Sequence, residues 1–454
     1  MIRIPDLLLV RWCYPKFMLT ALGAMLVLQT SGFDVALVKP NPRVLVFSKT
    51  AGFRHDSIPV GVATIQELGK ERGFGVGHTE DAYVFNAESL KGVDVIVFLS
   101  TTGDILNADQ EKAFEEFVMN GGGFVGIHAA ADTEYEWPFY GRTVGGYFKT
   151  HPRIQQAKVL VEDRSHATTY FLPKEWVRTD EWYTYRVNPR GKVNVVCSLD
   201  ESTYEGGGME GDHPITWWHE VGQGRAWYTG FGHTKESYAE PDFKRMLGEA
   251  ILWAAQAKRP DGAEDVSWSS IEGWGIEKDL RGGLTFPVMP NKLGANKHLI
   301  SDKPHGDVHL HLEFKIPKGS NSGVYLMGRY EVQILDSSGK EAKDLQSSDC
   351  GGIYERWGAN GGFEGKPPLV NAFAGPGKWN TYDILFRAPR FDGNRKVANA
   401  KFLEVRLNGV VIQKNVEVTG PTRAPLFEDE KPAGPLMLQG DHGPIVYRNV
   451  WMKR

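Results

Sequence analysis

Cysteine is scarce in this chain, with three in 454 residues: Cys13, Cys197 and Cys350. If an amino-terminal leader is removed, one cysteine remains in each half, and neither has a partner at metal-ligand spacing. That argues against a disulfide framework and against a cysteine-based zinc site. Basic runs are also missing. Lysine and arginine are spread thinly and the formal net charge is −4, so nucleic acid is not an expected partner. Past the first thirty-odd residues no apolar run is long enough to cross a bilayer. There is no internal repeat. What the chain does have is 41% hydrophobic and 24% charged residues, the balance of a folded soluble protein. Its length exceeds one ordinary core, which predicts two domains. The 13 Trp and 16 Tyr suit either large cores or sugar-stacking platforms.

Arg3, Arg11 and Lys16 precede an apolar segment at 17–28, followed by Gln29-Thr30-Ser31-Gly32. Its length and flanks fit an export signal, with a retained anchor as the alternative. Residues 1–32 are therefore read as a signal peptide, and the mature chain as exported, periplasmic or extracellular, without a transmembrane segment.

The next two hundred residues are organised around Gly123-Phe124-Val125-Gly126-Ile127-His128-Ala129-Ala130-Ala131-Asp132. This pattern predicts a buried strand feeding a tight turn, with His128 at the strand's carboxyl end. Ligands bind at that edge in open α/β sheets, and small flanking residues are what a sharp elbow requires. Strands at 44–47 and 93–99 come before it. A helix follows Asp56 or Ser57 as its cap, with Pro59 in its first turn and Val62, Ile65 and Leu68 on one face. Asn107 and Gln110 announce a second helix through a capping box, with Phe114, Phe117 and Val118 directed inward. The alternation predicts a parallel sheet with right-handed crossovers. Later strands are expected at 158–161, 193–199, 215–219 and 225–229, and a helix at 241–256. An α/β domain thus spans 42–257, and residues 258–266 read as a polar linker.

Beyond the linker the helical period disappears. Val308, Leu310, Leu312, Phe314 and Ile316 alternate with polar residues, and Asn408-Gly409 is a strong hairpin signal. Many short strands with Gly and Pro turns predict an all-β sandwich over 267–454.

Histidines gather where the strand pattern places one rim of the α/β domain. His55 follows the first strand, His128 the elbow and His233 a late strand, while His151 lies in Gly145-Gly146-Tyr147-Phe148-Lys149-Thr150-His151-Pro152. Arg54 and Asp132 are sequence neighbours. Imidazole suits proton transfer near neutrality and metal binding alike. No His-x3-His spacing selects a metal, so the cofactor stays unassigned and a divalent ion remains open. Phe53-Arg54-His55-Asp56-Ser57, the 126–132 elbow, Gly145-Gly146-Tyr147-Phe148 with His151-Pro152, and Gly222-Gln223-Gly224-Arg225 leading to Gly232-His233 resemble the ThuA-like trehalose-utilisation family over residues 42–257. The resemblance implies a flavodoxin-like, class I glutamine amidotransferase-like α/β fold. In the amidotransferases the elbow carries a cysteine nucleophile. His128 stands there instead, so ammonia transfer is not expected.

In the second domain Glu331 and Gln333 share a strand face, and Asp336 would join them only across a bulge or at the strand end. This spacing resembles that of laminarinase-type sandwich glycosidases, with Gln333 in place of one acid, which puts ordinary two-carboxylate hydrolysis in doubt. His309, His311 and Glu313 alternate with the core residues and are expected on a solvated face. Gln439, Asp441 and His442 occupy a Gly-flanked turn. Together with Asn321-Ser322-Gly323, Gly377-Lys378-Trp379-Asn380 and Leu407-Asn408-Gly409, these residues resemble the 3-keto-disaccharide hydrolase domain family over 305–454. That resemblance implies a concanavalin-like jelly roll that cleaves 3-keto-glucosides. A ketone at C3 acidifies the C2 proton, so a base could form an enolate and expel the C1 substituent. Glu331 or His442 is the expected base, and Gln333, Gln439 or a metal the enolate holder. The catalytic set expected over both domains is Glu331, His442, Asp336, His128 and His233. Substrate-binding residues are expected at Gln333, Gln439, Asp441, Arg54, His55, Asp132 and His151. The expected substrate is a small 3-keto-disaccharide or glycoside. The alternative is a sugar-binding sandwich that delivers substrate to a catalytic α/β domain.

Overall fold

The computed structural model describes residues 42–255, 259–260, 262–278, 284–287 and 298–454. The signal peptide expected at 1–32 lies outside them. Among the described residues no helix is long and apolar enough to cross a membrane.

The α/β domain is built on a nine-stranded sheet. Gly75–Thr79, Arg43–Phe47, Val95–Leu99 and Gly123–Ile127 pair in parallel in that order. Val95–Leu99 is buried along its whole length, as a parallel strand covered on both faces must be. Gly224–Thr229 adds in parallel to Gly123–Ile127. From there the sheet continues antiparallel through His213–Val221, Asn194–Asp200, Gln155–Val161 and Glu175–Asp180. The expected parallel sheet is thus its first half only. Glu175–Asp180 has no apolar signal because its buried face carries Trp176, Arg178 and Asp180. Alternation is present, but two of its three inward residues are charged.

The helix Ala108–Met119 has the expected Asn107–Gln110 capping box. Ile58–Arg72 has Pro in its first turn but no side-chain cap. Ser57 Oγ donates instead to the carbonyl of Gly232 at 3.2 Å, and Asp56 pairs with Lys235 at 2.7 Å. Both residues that could have capped the helix tie its start to the loop carrying His233.

In the sandwich, the larger sheet runs Glu277–Lys278, Leu284–Pro287, Val446–Lys453, Val308–Lys315, Asn380–Arg387, Ala400–Leu407, Val410–Val418. Glu264–Asp265, within the stretch read as linker, pairs with Val446–Lys453. The smaller sheet runs Trp268–Ser270, Leu299–Ser301, Met437–Leu438, Asn321–Leu326, Tyr330–Leu335. Leu310, Leu312 and Phe314 from one sheet and Val324, Val332 and Ile334 from the other are all buried. Asn408 and Gly409 have φ of 53° and 82°, the two left-handed positions of a type I′ hairpin turn.

The face expected to be solvated is covered. His311 and Glu313 are both buried. His311 Nδ1 lies 2.8 Å from Asp383, Arg448 Nε donates to Glu313 at 2.6 Å, and Trp451 stacks on the His311 ring. Arg448 also comes within 3.9 Å of Glu220 in the α/β domain. This side of the sheet is turned toward the first domain, and polar groups removed from water there must find partners.

Phe98 sits at the centre of the first core, with the rings of Phe47, Phe85, Phe114, Phe124 and Tyr140 at 5.4 to 6.0 Å. Phe98→Ala is expected to lower unfolding free energy by about 3–5 kcal/mol. Chemical denaturation measures this, and a loss under about 1 kcal/mol would mean that the cluster is not the organising core.

Candidate functional site

Two constellations of buried polar groups stand out, one in each domain. In the first, the apolar strand Gly123–Ile127 ends at His128, which takes a left-handed φ of 49°. Its Nδ1 donates to the carbonyl of Gly230 at 2.9 Å, which orients the ring around the remaining nitrogen, Nε2. That nitrogen lies 3.2 Å from His233 Nδ1. Glu181 completes a triangle, its Oε2 standing 3.1 Å from His233 Nδ1 and 3.5 Å from His128 Nε2. The other carboxylate oxygen is 2.9 Å from His151 Nδ1. The His55 ring packs edge-on, 4.8 Å from the His128 ring and 5.1 Å from that of His233. Tyr183 lies against His128 with ring centroids 4.1 Å apart. Asp180, next in sequence to Glu181, accepts from the backbone N–H of Gly232 and of His233 and from Ser237 Oγ. One short segment therefore supplies both the carboxylate and the anchor for the His233 loop.

Burial is the largest influence on His55, Glu181 and His233. It pushes His55 down to about 3, aided by His128 and His233. Burial alone would raise Glu181, yet hydrogen bonds and charge from His128 and His233 outweigh it and hold the carboxyl well below its ordinary range. Burial would likewise lower His233, but the Glu181 carboxylate raises it. The result is an ionised carboxylate among imidazoles.

His55, His128, His151 and His233 are thus brought together as expected. Arg54 is not, because it lies half-exposed in an ion pair with Glu80 at 2.7 Å. Asp132 sits beside the group and accepts from Tyr135 Oη at 2.5 Å; burial raises its pKa. Glu181 and Tyr183 are not among the residues that the sequence motifs pick out. The signal available is Asp180-Glu181-Trp182-Tyr183, two acids followed by aromatics that all prove buried.

The second constellation lies on the smaller sheet of the sandwich. Tyr325 faces Glu331 and Gly323 faces Gln333 across the strand pair, on the side opposite core residues Val324, Val332 and Ile334. Glu331 is 2% exposed and its Oε2 has no hydrogen-bond partner. Burial pushes its pKa up to about 8, against a hydrogen bond from Tyr325. Gly323 makes the room. A Cβ there would stand 2.2 Å from Glu331 Oε1.

Gln333 is buried on the same face and its Oε1 accepts from the Ile334 N–H at 2.9 Å. Gln439 is tied in by its own N–H to the Gly323 carbonyl at 2.9 Å. The following turn pairs His442 Nδ1 with Asp441 at 2.5 Å, and there the imidazole is half-exposed. His298, which no sequence motif singles out, accepts from the Gly440 N–H at 3.3 Å. Burial lowers its pKa despite nearby Asp441. Asp336 does not join Glu331. Register runs unbroken from Asn321↔Leu335 to Leu326↔Tyr330, so there is no bulge, and Asp336 lies just past the strand end without turning to that face. Its carboxylate instead accepts from the N–H groups of Gly319 and Ser338, closing a turn.

A glutamate raised from 4.5 to about 8 by burial stabilises the fold fully only below its unfolded pKa, and that contribution is lost as pH rises through about 8. Glu331→Gln mimics the protonated form. Relative to the parent, the variant's thermal midpoint is therefore expected to climb between pH 5 and pH 9. A constant difference over that range would show that Glu331 is not held protonated by the fold.

Family comparisons divide the chain at the same place. A family model described as trehalose utilisation, ThuA, matches residues 43–254, and one described as a 3-keto-alpha-glucoside-1,2-lyase-like domain matches 261–453. Among solved structures, a ThuA-like protein from Bacteroides uniformis is 27% identical over 48% of this chain and 93% of its own, with a TM-score of 0.42. A protein from Parabacteroides distasonis described as a glycosyl hydrolase is 27% identical over 43% of this chain and 84% of its own, with a TM-score of 0.33. No curated protein sequence matches the chain. It is a carbohydrate-processing protein that joins a ThuA-type α/β segment to a 3-keto-disaccharide hydrolase-type sandwich.

Proposed function

We propose that the sandwich cleaves the glycosidic bond of 3-keto-glycosides by elimination across C1 and C2, with Glu331 as the base. The observation that carries this reading is Glu331 itself, a carboxyl buried without a partner on Oε2 and poised near neutrality by desolvation. Its place beside Tyr325 and Gln333, on the sheet face opposite the sandwich core, suits a base that meets a carbon acid. The C2–H bond breaks and the proton passes to Glu331. The electron pair moves into a C2–C3 enolate, then forms C1=C2 as the C1–O bond breaks. The departing alkoxide takes a proton, for which His442, polarised by Asp441, is the donor this reading assigns. Products are the alcohol and an unsaturated 2-hydroxy-3-keto-glycal, and later addition of water to the glycal gives a free 3-keto-hexose. Gln333 Oε1 is engaged by the backbone, so its Nε2 is the group that can donate to the developing enolate.

Ordinary two-carboxylate hydrolysis is disfavoured, because Asp336 is committed to its turn and Gln333 stands where a second acid would be needed. We also propose that the enzyme acts outside the cytoplasm, on the strength of the basic and apolar pattern of residues 1–32. The second reading, a sugar-binding sandwich serving a catalytic α/β domain, draws support from the imidazole–carboxylate group around His128.

With a 3-keto-disaccharide as substrate, Glu331→Gln is expected to lower kcat by about 10²–10⁴-fold and His442→Ala by a smaller factor. Since Glu331 must be ionised to act, kcat/KM should rise with pH through about 8. Product identification after incubation reads both. Cleavage that survives Glu331→Gln while sugar binding weakens would transfer the chemistry to the first domain.

A further inference from the structure

We infer that His55, His128, His233 and Glu181 form a binding site for one divalent first-row transition ion in the α/β domain. Among the described residues they are the one group of His, Cys, Asp and Glu whose donor atoms converge closely enough, all within 4.8 Å of one another. The inner triangle is tighter, with edges of 3.1, 3.2 and 3.5 Å between Glu181 Oε2, His233 Nδ1 and His128 Nε2. Ligands of a tetrahedral ion at roughly 2.0–2.2 Å stand about 3.3–3.6 Å apart, so the triangle already has nearly the edge lengths of one face of such a site.

Hydrogen bonding alone accounts for less of the arrangement. His128 Nδ1 is held by the Gly230 carbonyl, which points its Nε2 at His233 Nδ1 and at a carboxylate oxygen of Glu181. His55 is 4% exposed and its Nδ1 is buried with no hydrogen-bond partner. A buried imidazole nitrogen without a partner costs free energy that a bound cation would recover.

The surroundings have the character of an outer ligand shell. The Gly230 carbonyl fixes the ring of His128, His151 holds the second oxygen of Glu181, and Asp180 pins the backbone that carries His233. Three nitrogens and one oxygen suit zinc, cobalt, nickel or iron, while magnesium and calcium require oxygen-rich sets. The ligand His233 and the neighbouring His151 are partly exposed, with side-chain exposures of 19% and 42%, so an oxygen of a sugar would approach the ion from their side. This site is separate from Glu331, and its assignment does not depend on the reaction proposed for the sandwich.

The test uses the full chain, stripped by chelator and then titrated with Zn²⁺, Co²⁺ or Mg²⁺. Elemental analysis after desalting is expected to find about one zinc or cobalt per chain and no retained magnesium. Cobalt should also show a ligand-field absorption band. Glu181→Gln and His233→Gln should each lower retained ion at least tenfold, with folding of the stripped variants checked by circular dichroism. Glu331→Gln should retain the ion in full. Absence of stoichiometric ion in the parent would overturn the site, as would undiminished retention in whichever of the two ligand variants folds. Equal retention of magnesium would overturn the assignment to a transition ion.

Discussion

Desolvation of carboxylates sets the character of both constellations, and it has opposite outcomes in them. Glu181 and Glu331 are both taken out of water by the fold. Glu181 meets His128, His233 and His151, and the surrounding imidazoles keep it ionised. Glu331 meets one hydroxyl and packs its carboxyl into the space left by Gly323, so burial prevails and the proton is retained to about pH 8. The same physical cost thus yields a fixed negative charge in one domain and a titratable base in the other. Anions held among imidazoles suit cation binding, and a carboxyl poised near neutrality suits proton transfer.

Each constellation depends on backbone devices that do nothing chemical themselves. The left-handed turn at His128 carries its imidazole to the end of the parallel strands, and the Gly230 carbonyl fixes the orientation of the ring. Ser57 and Asp56 give up helix capping to tie the first helix to the loop that bears His233. In the sandwich, unbroken pairing between Asn321–Leu326 and Tyr330–Leu335 puts Tyr325 across from Glu331 and Gly323 across from Gln333. The outer face of the larger sheet carries its own polar network, with Arg448 on Glu313, His311 on Asp383, and Arg448 reaching toward Glu220 of the first domain.

Much of this architecture is legible in the amino-acid sequence. Apolar runs such as Val95–Leu99, the Asn107–Gln110 box and the Asn408-Gly409 turn are local signals, and each forms the expected element. His55, His128 and His233 converge because parallel strands deliver their carboxyl ends to one edge, and His151 joins them from the end of Phe148–Thr150 in a separate two-stranded sheet. Glu181 is not legible in the same way. It follows a strand whose buried face is largely charged, and no local period shows that Arg178 and Asp180 point inward. Alternation places His311 and Glu313 in solvent because it tells only which face is the sandwich core. Whether the opposite face is wet depends on a domain far off in sequence. Asp336 is placed by spacing alone, and spacing does not reveal that its strand has no bulge.

Proton removal from carbon is the step that the role proposed for Glu331 requires. The most direct measurement follows cleavage of a 3-keto-glycoside carrying deuterium at C2, under single turnover. Elimination predicts slower cleavage of the labelled substrate and loss of the deuterium from the sugar product. Cleavage at an unchanged rate, with the label kept at C2, would contradict it.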